Sequence, residues 1–128
     1  MEFAVPVTPK SNVLHVTSLE HRLGLINDSN VFVVKLSAQW CKPCQRIIPD
    51  YNIMANLFKD NCVFTSEDID EDFGDHPVPV KSIPAFHFYK EGTFVKEIVG
   101  ANLENVFETL VELCEKEKEN EKENENEK

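Results

Sequence analysis

Apolar positions along the chain alternate between short, nearly continuous runs and longer stretches with helical spacing. Val13-Leu14-His15-Val16 reads as a short strand. In Thr17-Ser18-Leu19-Glu20 a hydroxyl precedes an acid by three positions, the spacing of a capping box, and a helix to about Asp28 follows. Residues 27–30 break it. Val31-Phe32-Val33-Val34-Lys35-Leu36 is then apolar at five of six positions, the pattern of a strand covered on both faces. A second helix is predicted from about Cys41, with Ile47, Ile48, Tyr51, Met54, Ala55 and Phe58 on its buried side. Pro43 suits its first turn, whereas Pro49 should kink it. Cys62-Val63-Phe64-Thr65 reads as a strand, and residues 67–79, acidic and proline-rich, as a loop with at most one short helix. Two strands, Phe86 to Tyr89 and Phe94 to Ile98, flank Lys90-Glu91-Gly92-Thr93 and predict a hairpin. A last helix from near Leu103 places Val106, Phe107, Leu110, Val111 and Cys114 on one side. The order β α β α β (α) β β α predicts an α/β fold, a central mixed sheet with helices on both faces.

Length and composition narrow the picture. The 128 residues fit one domain. Residues 115–128 carry seven Glu and four Lys and no apolar residue, so they can extend a helix through i,i+4 pairs but bury nothing. The expected organisation is therefore an irregular segment over 1–12, a folded domain over 13–114, and a charged tail over 115–128 as frayed helix or disordered chain. Net charge is −10. With no basic stripe, nucleic acid and anionic membrane are not expected partners, and strongly acidic clients should be repelled. No apolar run is long enough to span a bilayer. The N-terminal MEFAVPVTPKSN lacks a basic region followed by an apolar stretch, so a reducing, cytoplasmic compartment is expected. Nothing in the pattern calls for an oligomer, and a monomer is the expectation.

Against that background the pair Cys41 and Cys44 stands out. A strand ends near Leu36 and a helix begins near Cys41, so Cys41 belongs at a helix N-terminus, where partial positive charge and unpaired N–H groups favour thiolate over thiol. Lys42 adds a cation. A thiolate is the nucleophile in disulfide exchange. Cys44, one turn further in, is placed to resolve a mixed disulfide formed at Cys41.

These residues resemble the thioredoxin family. Ala38-Gln39-Trp40-Cys41-Lys42-Pro43-Cys44 is similar to the family's W-C-x-P-C active site, with Lys42 where Gly is usual. Pro49 matches the kinking proline five residues on, and Ile69-Asp70 the segment after the third strand. Ser82-Ile83-Pro84-Ala85 matches the segment carrying a cis proline, Gly92 the hairpin glycine, and Val99-Gly100-Ala101 the end of the last strand. The matches run in order from Val13 to Cys114. The resemblance implies a thioredoxin-like fold and reduction of protein disulfides through the redox-active pair, with no bound cofactor. It implies disulfide-containing client proteins and, as electron source, a flavin-containing reductase using NADPH. Trp40, Ile83, Pro84, Gly100 and Ala101 would line an apolar groove for the client, and Pro84 would keep metal from the dithiol. Cis bonds occur mainly before proline, which fits Ile83-Pro84.

One position departs from the family. Where a buried Asp is usual, six residues before the first Cys, this chain has Lys35. A buried amine loses its proton or carries an unpaired charge, both costly. Lys35 is therefore expected either to reach outward along its stem or to act near Cys44 as a base. Lys35, Lys42 and Pro43 are the residues expected to tune the thiols, and a charged Lys35 would make the disulfide more oxidising. The alternative reading is a non-catalytic interaction or redox-sensing module on the same fold. A zinc site would need a second close pair or paired His, which the chain lacks. Cys62 and Cys114 read as small buried hydrophobes. Of the histidines, His76 reads as a solvated loop residue and His87 as a satisfied sheet residue. Glu67 to Asp72 reads as solvated acid, since it does not follow the calcium-loop pattern.

Overall fold

The computed structural model describes residues 11–126, with side chains through Cys114. The irregular segment expected over 1–12 therefore lies, apart from Ser11 and Asn12, outside the described residues. The elements are β1 (Val13–His15), α1 (Leu19–Asp28), β2 (Val31–Ser37), α2 (Lys42–Arg46), α3 (Ile48–Leu57), β3 (Val63–Asp68), a 3-10 turn (Ile69–Glu71), β4 (Ala85–Lys90), β5 (Thr93–Val99) and α4 (Leu103–Asn126). Five strands form one sheet in the order β1-β3-β2-β4-β5. β1, β3 and β2 run parallel, while β4 pairs antiparallel with β2, and β5 with β4.

β2 is central, and its side chains alternate between two cores. Val31 and Val33 pack with Tyr51, Met54 and Ala55 of α3 and Val106 and Leu110 of α4. Phe32, Val34 and Leu36 face the opposite way, toward Ile26 of α1 and Tyr89 of β4. Each fully buried side chain of this size contributes roughly 1.5–3 kcal/mol relative to exposure, so both faces hold the strand in register. The near-continuous apolar run of β2 follows from this double covering.

Local chemistry sets the element ends, with two shifts from expectation. The N-cap of α1 is Ser18, whose hydroxyl accepts from the N–H of His21, while the Thr17 N–H donates to His21 Nδ1. The cap thus lies one position later than the Thr17–Glu20 spacing indicated, and the His21 ring bonds back to the Thr17 N–H rather than to that of the N-cap itself. At Pro49 the helix is interrupted: Ile47 closes α2 and caps α3. In the hairpin turn Glu91 and Gly92 both have positive φ, 50° and 84°, the backbone that matches strand twist in a two-residue turn. On α4 the buried positions are Val106, Thr109, Leu110, Leu113 and Cys114. Phe107 is more exposed than its spacing suggested, and its ring meets Phe58 edge-on at 5.6 Å.

Candidate active site

The turn between β2 and α2 builds the sulfur pair. The Cys41 N–H donates to the Ala38 carbonyl at 3.2 Å, and Gln45 Nε2 donates to the same oxygen at 3.0 Å. These bonds fold residues 38–41 back before α2 starts. Cys41 is the N-cap: its Sγ accepts from the Cys44 N–H at 3.2 Å. Lys42 and Pro43 occupy the first turn, where a missing N–H at proline costs no helical bond. Cys41 and Cys44 are joined in a disulfide, their Cα atoms 5.2 Å apart. That spacing lies inside the usual disulfide range. Because α2 has only five residues, its dipole is short, and the directed Cys44 N–H is the main local donor to Cys41 sulfur.

Opposite the disulfide lies the segment before β4. The Ile83–Pro84 peptide is cis, and the Ile83 carbonyl oxygen is 3.9 Å from Cys41 Sγ. The Pro84 carbonyl accepts from the Gly100 N–H at 2.8 Å, bringing the end of β5 to the same place. Gly100 has φ 108°, a conformation that a side chain would strain. Ala38, Cys41 and Cys44 form a small apolar cluster against Ile69 and Ile83.

Beside this cluster Trp40 is 65% exposed, a large apolar area for a single surface residue. Its indole N–H donates to Asp70 Oδ2 at 2.9 Å, which fixes the ring over an open cavity of about 300 Å³ lined by Trp40, Ile69, Val80, Lys81, Ser82 and Ile83. Asp70 and the Val80–Ser82 wall were not identified as site residues from sequence. The signal for Asp70 was its place directly after the apolar Ile69.

The residues singled out from sequence divide as follows. Cys41, Cys44, Pro84, Ile83 and Gly100 meet around the disulfide, and Trp40 flanks it. Ala101 follows Gly100 and is exposed, as are Lys42 and Pro43. Lys35 does not reach outward: it is 4% exposed and its ammonium stands 5.0 Å from the centroid of the Tyr51 ring. It shares the α3–α4 face with Val31 and Val33. Burial pushes its pKa down from the ordinary lysine value.

Three further expectations are revised. Glu67 is buried rather than solvated, with Oε1 3.1 Å from Arg22 Nε. His76 is only partly exposed and touches the same pair, its Nε2 3.6 Å from Glu67 Oε2. His87 donates from Nε2 to Glu97 Oε2 at 2.9 Å, but its buried Nδ1 makes no hydrogen bond. Cys62 and Cys114 are buried thiols as expected, and burial raises the Cys62 pKa. Among the described residues no group of three or more His, Cys, Asp or Glu is placed to hold a metal ion.

A mixed sheet that presents a helix-capping disulfide opposite a cis proline defines a thiol–disulfide oxidoreductase. The thioredoxin family model matches residues 12–112. Thioredoxin-3 of Dictyostelium discoideum is 38% identical over 102 residues, covering 78% of this chain and 95% of that protein. Human thioredoxin is 35% identical over 99 residues, 76% of this chain and 91% of its own. Among solved structures, Fasciola hepatica thioredoxin superposes with a TM-score of 0.71 at 29% identity, over 78% of this chain and 98% of that one. The chain belongs to the thioredoxin family, whose members are protein-disulfide oxidoreductases that act on disulfide-containing substrates through a cysteine pair and are reduced by thioredoxin reductase.

Proposed function

We propose that Cys41 is the nucleophile and Cys44 the resolving thiol in the reduction of client-protein disulfides. The observation that carries this assignment is the Cys44 N–H directed at Cys41 Sγ, with the Ile83 carbonyl 3.9 Å across. In the reduced protein the Cys41 thiolate attacks one client sulfur, the client S–S bond breaks, and the other client sulfur leaves as thiolate. Cys44 then gives up its proton and attacks Cys41 Sγ. The Cys41–Cys44 disulfide forms, the second client sulfur departs, and two electrons have passed to the client, whose two thiolates take up the Cys44 proton and one from solvent. The order of attack is supported by burial: Cys44 is fully enclosed, and Cys41 retains the exposed edge.

Trp40, Ile83, Pro84, Gly100 and Ala101 form the client groove in this reading. An apolar indole face beside the cis proline suits an extended client segment. Lys35, Lys42 and Pro43 tune the thiols. A flavin-containing reductase fed by NADPH restores the dithiol. The catalytic unit is residues 13–114 acting as a monomer, with the N-terminal segment and the charged tail outside it. A reducing, cytoplasmic compartment fits two buried cysteines kept as thiols. No helix among the described residues is long and apolar enough to cross a membrane.

The test is reduction of insulin with a reducing system supplied. Cys41→Ser should abolish turnover. Cys44→Ser should trap client proteins in mixed disulfides that dithiothreitol releases. Full turnover by Cys41→Ser, or trapping by Cys41→Ser in place of Cys44→Ser, rejects the assignment.

A further inference from the structure

The α1 face of the sheet holds a charged cluster that disulfide exchange does not use. Arg22 of α1 and Glu67 of β3 are each 1% exposed. The two terminal guanidinium nitrogens are hydrogen-bonded, whereas Nε is held by charge alone, outside hydrogen-bond geometry. Nε faces Glu67 Oε1 at 3.1 Å. Nη1 donates to the Asp75 carbonyl at 3.3 Å and lies 3.2 Å from His76 Nδ1. Nη2 donates to the Gly74 carbonyl.

Stability alone does not account for this arrangement. Dehydrating two ions costs several kcal/mol each, and a well-packed apolar pair often does as well or better. The guanidinium instead supplies geometry, a rigid planar fork that fixes two successive carbonyls at once. The segment it holds needs such a constraint. Asp72, Gly74 and Asp75 all have positive φ, 48°, 74° and 53°, conformations that aspartate adopts only at some cost. Downstream, Val80, Lys81 and Ser82 form one wall of the cavity beside Trp40 and Ile83. The cluster has its own cavity of about 170 Å³ beside Glu67, Asp72, Phe73 and His76, and Ile69 and Val80 line both cavities. Ile69 in turn packs against Cys41 and Cys44.

We infer that Arg22 is a positioning residue for client docking: by tying residues 74–76 to Glu67 it sets the Val80–Ser82 wall of the groove. This rests on the groove reading given above. A protein client needs that wall and a small disulfide does not, so the two substrates separate the effect. Arg22→Lys keeps the charge but loses the fork. It should raise KM for insulin about tenfold, with kcat, the reduction potential of the Cys41–Cys44 pair and turnover of dithiobis(nitrobenzoate) unchanged.

The double variant Arg22→Leu/Glu67→Leu removes both buried charges and covers the case in which the lysine variant does not fold. It should fold and show the same raised KM. Wild-type KM in the double variant, or a parallel fall with both substrates, overturns the inference. Trp40→Ala serves as the reference. If Trp40→Ala raises the insulin KM and the Arg22 variants do not, the positioning role alone fails. If Trp40→Ala leaves KM unchanged, the groove reading fails and takes this inference with it.

Discussion

Lys35 is where a single residue most affects the chemistry of the site. Its amine is buried among apolar and aromatic groups, with the Tyr51 ring as the near neighbour. A cation over an aromatic face recovers about 0.5–2 kcal/mol, less than the several kcal/mol effective penalty for taking an ion out of water. The folded-state pKa is therefore depressed. For a lysine with a depressed pKa, the unfolded chain binds more protons than the folded one between the folded value and about 10.5. Stability rises with pH across that window and is reduced below it. Lys35→Met should thus stabilise the protein at pH 7 by ~1–3 kcal/mol, and the gain should shrink toward pH 10.5. Urea unfolding at pH 7 and pH 10 measures both; a methionine variant no more stable than wild type at pH 7 contradicts the account. If the amine also tunes the thiols, Lys35→Asp moves the pH dependence of disulfide exchange, and superimposable profiles exclude that role.

At the scale of elements, the loop of residues 72–80 is the part least legible in the sequence. The elements that depend on periodicity and turn chemistry were readable: β2 from its apolar run, the hairpin from Glu91-Gly92, the interruption between α2 and α3 from Pro49. The disulfide and cis proline were readable from short motifs. Arg22 was not, because it lies among Leu19, Leu23, Leu25 and Ile26 on a helix whose pattern does not show which stripe faces the sheet. Leu23 proves 45% exposed while Arg22 is buried. Only the fold brings Arg22 to Glu67 and His76, which lie far along the chain. The same contacts give His76 a measurable signature. Burial first, then the Arg22 and His87 charges, push its pKa from 6.5 to about 4. Because the folded value is below the unfolded one, the contribution is complete above pH 6.5 and is lost as the pH falls toward 4. Glu67, raised chiefly by burial, titrates with the opposite sign, but it is present in both wild type and a His76 variant. The stability of wild type relative to His76→Gln should therefore drop by up to ~3 kcal/mol between pH 6.5 and 4. A difference independent of pH would place His76 in water, as its sequence context suggested.

For the whole molecule the relevant quantity is the field. Net charge is −10, of which the tail of residues 115–128 contributes −3, so most of the charge belongs to the folded body. Asp70, Glu71, Asp72 and Asp75 are exposed on the segment that borders the groove, and Asp70 holds Trp40. The two exposed lysines nearest in the chain to the site, Lys42 and Lys81, are outnumbered. A potential of this sign raises the local concentration of cationic partners and can change association rates by roughly 10- to 1000-fold at low salt. Encounter with the client, not the sulfur chemistry, is then the salt-sensitive step. For a basic client disulfide, kcat/KM should fall steeply as ionic strength rises from about 0.01 to 0.15 M, where the Debye length contracts from roughly 30 to 8 Å. For an acidic client it should rise over the same range, while kcat at saturation stays flat for both. Removing residues 115–128 should flatten both slopes only slightly, since most of the charge remains. If salt moves kcat rather than KM, or shifts both clients the same way, the dependence lies in the sulfur chemistry near Lys35 and Lys42, not in the field of the folded body.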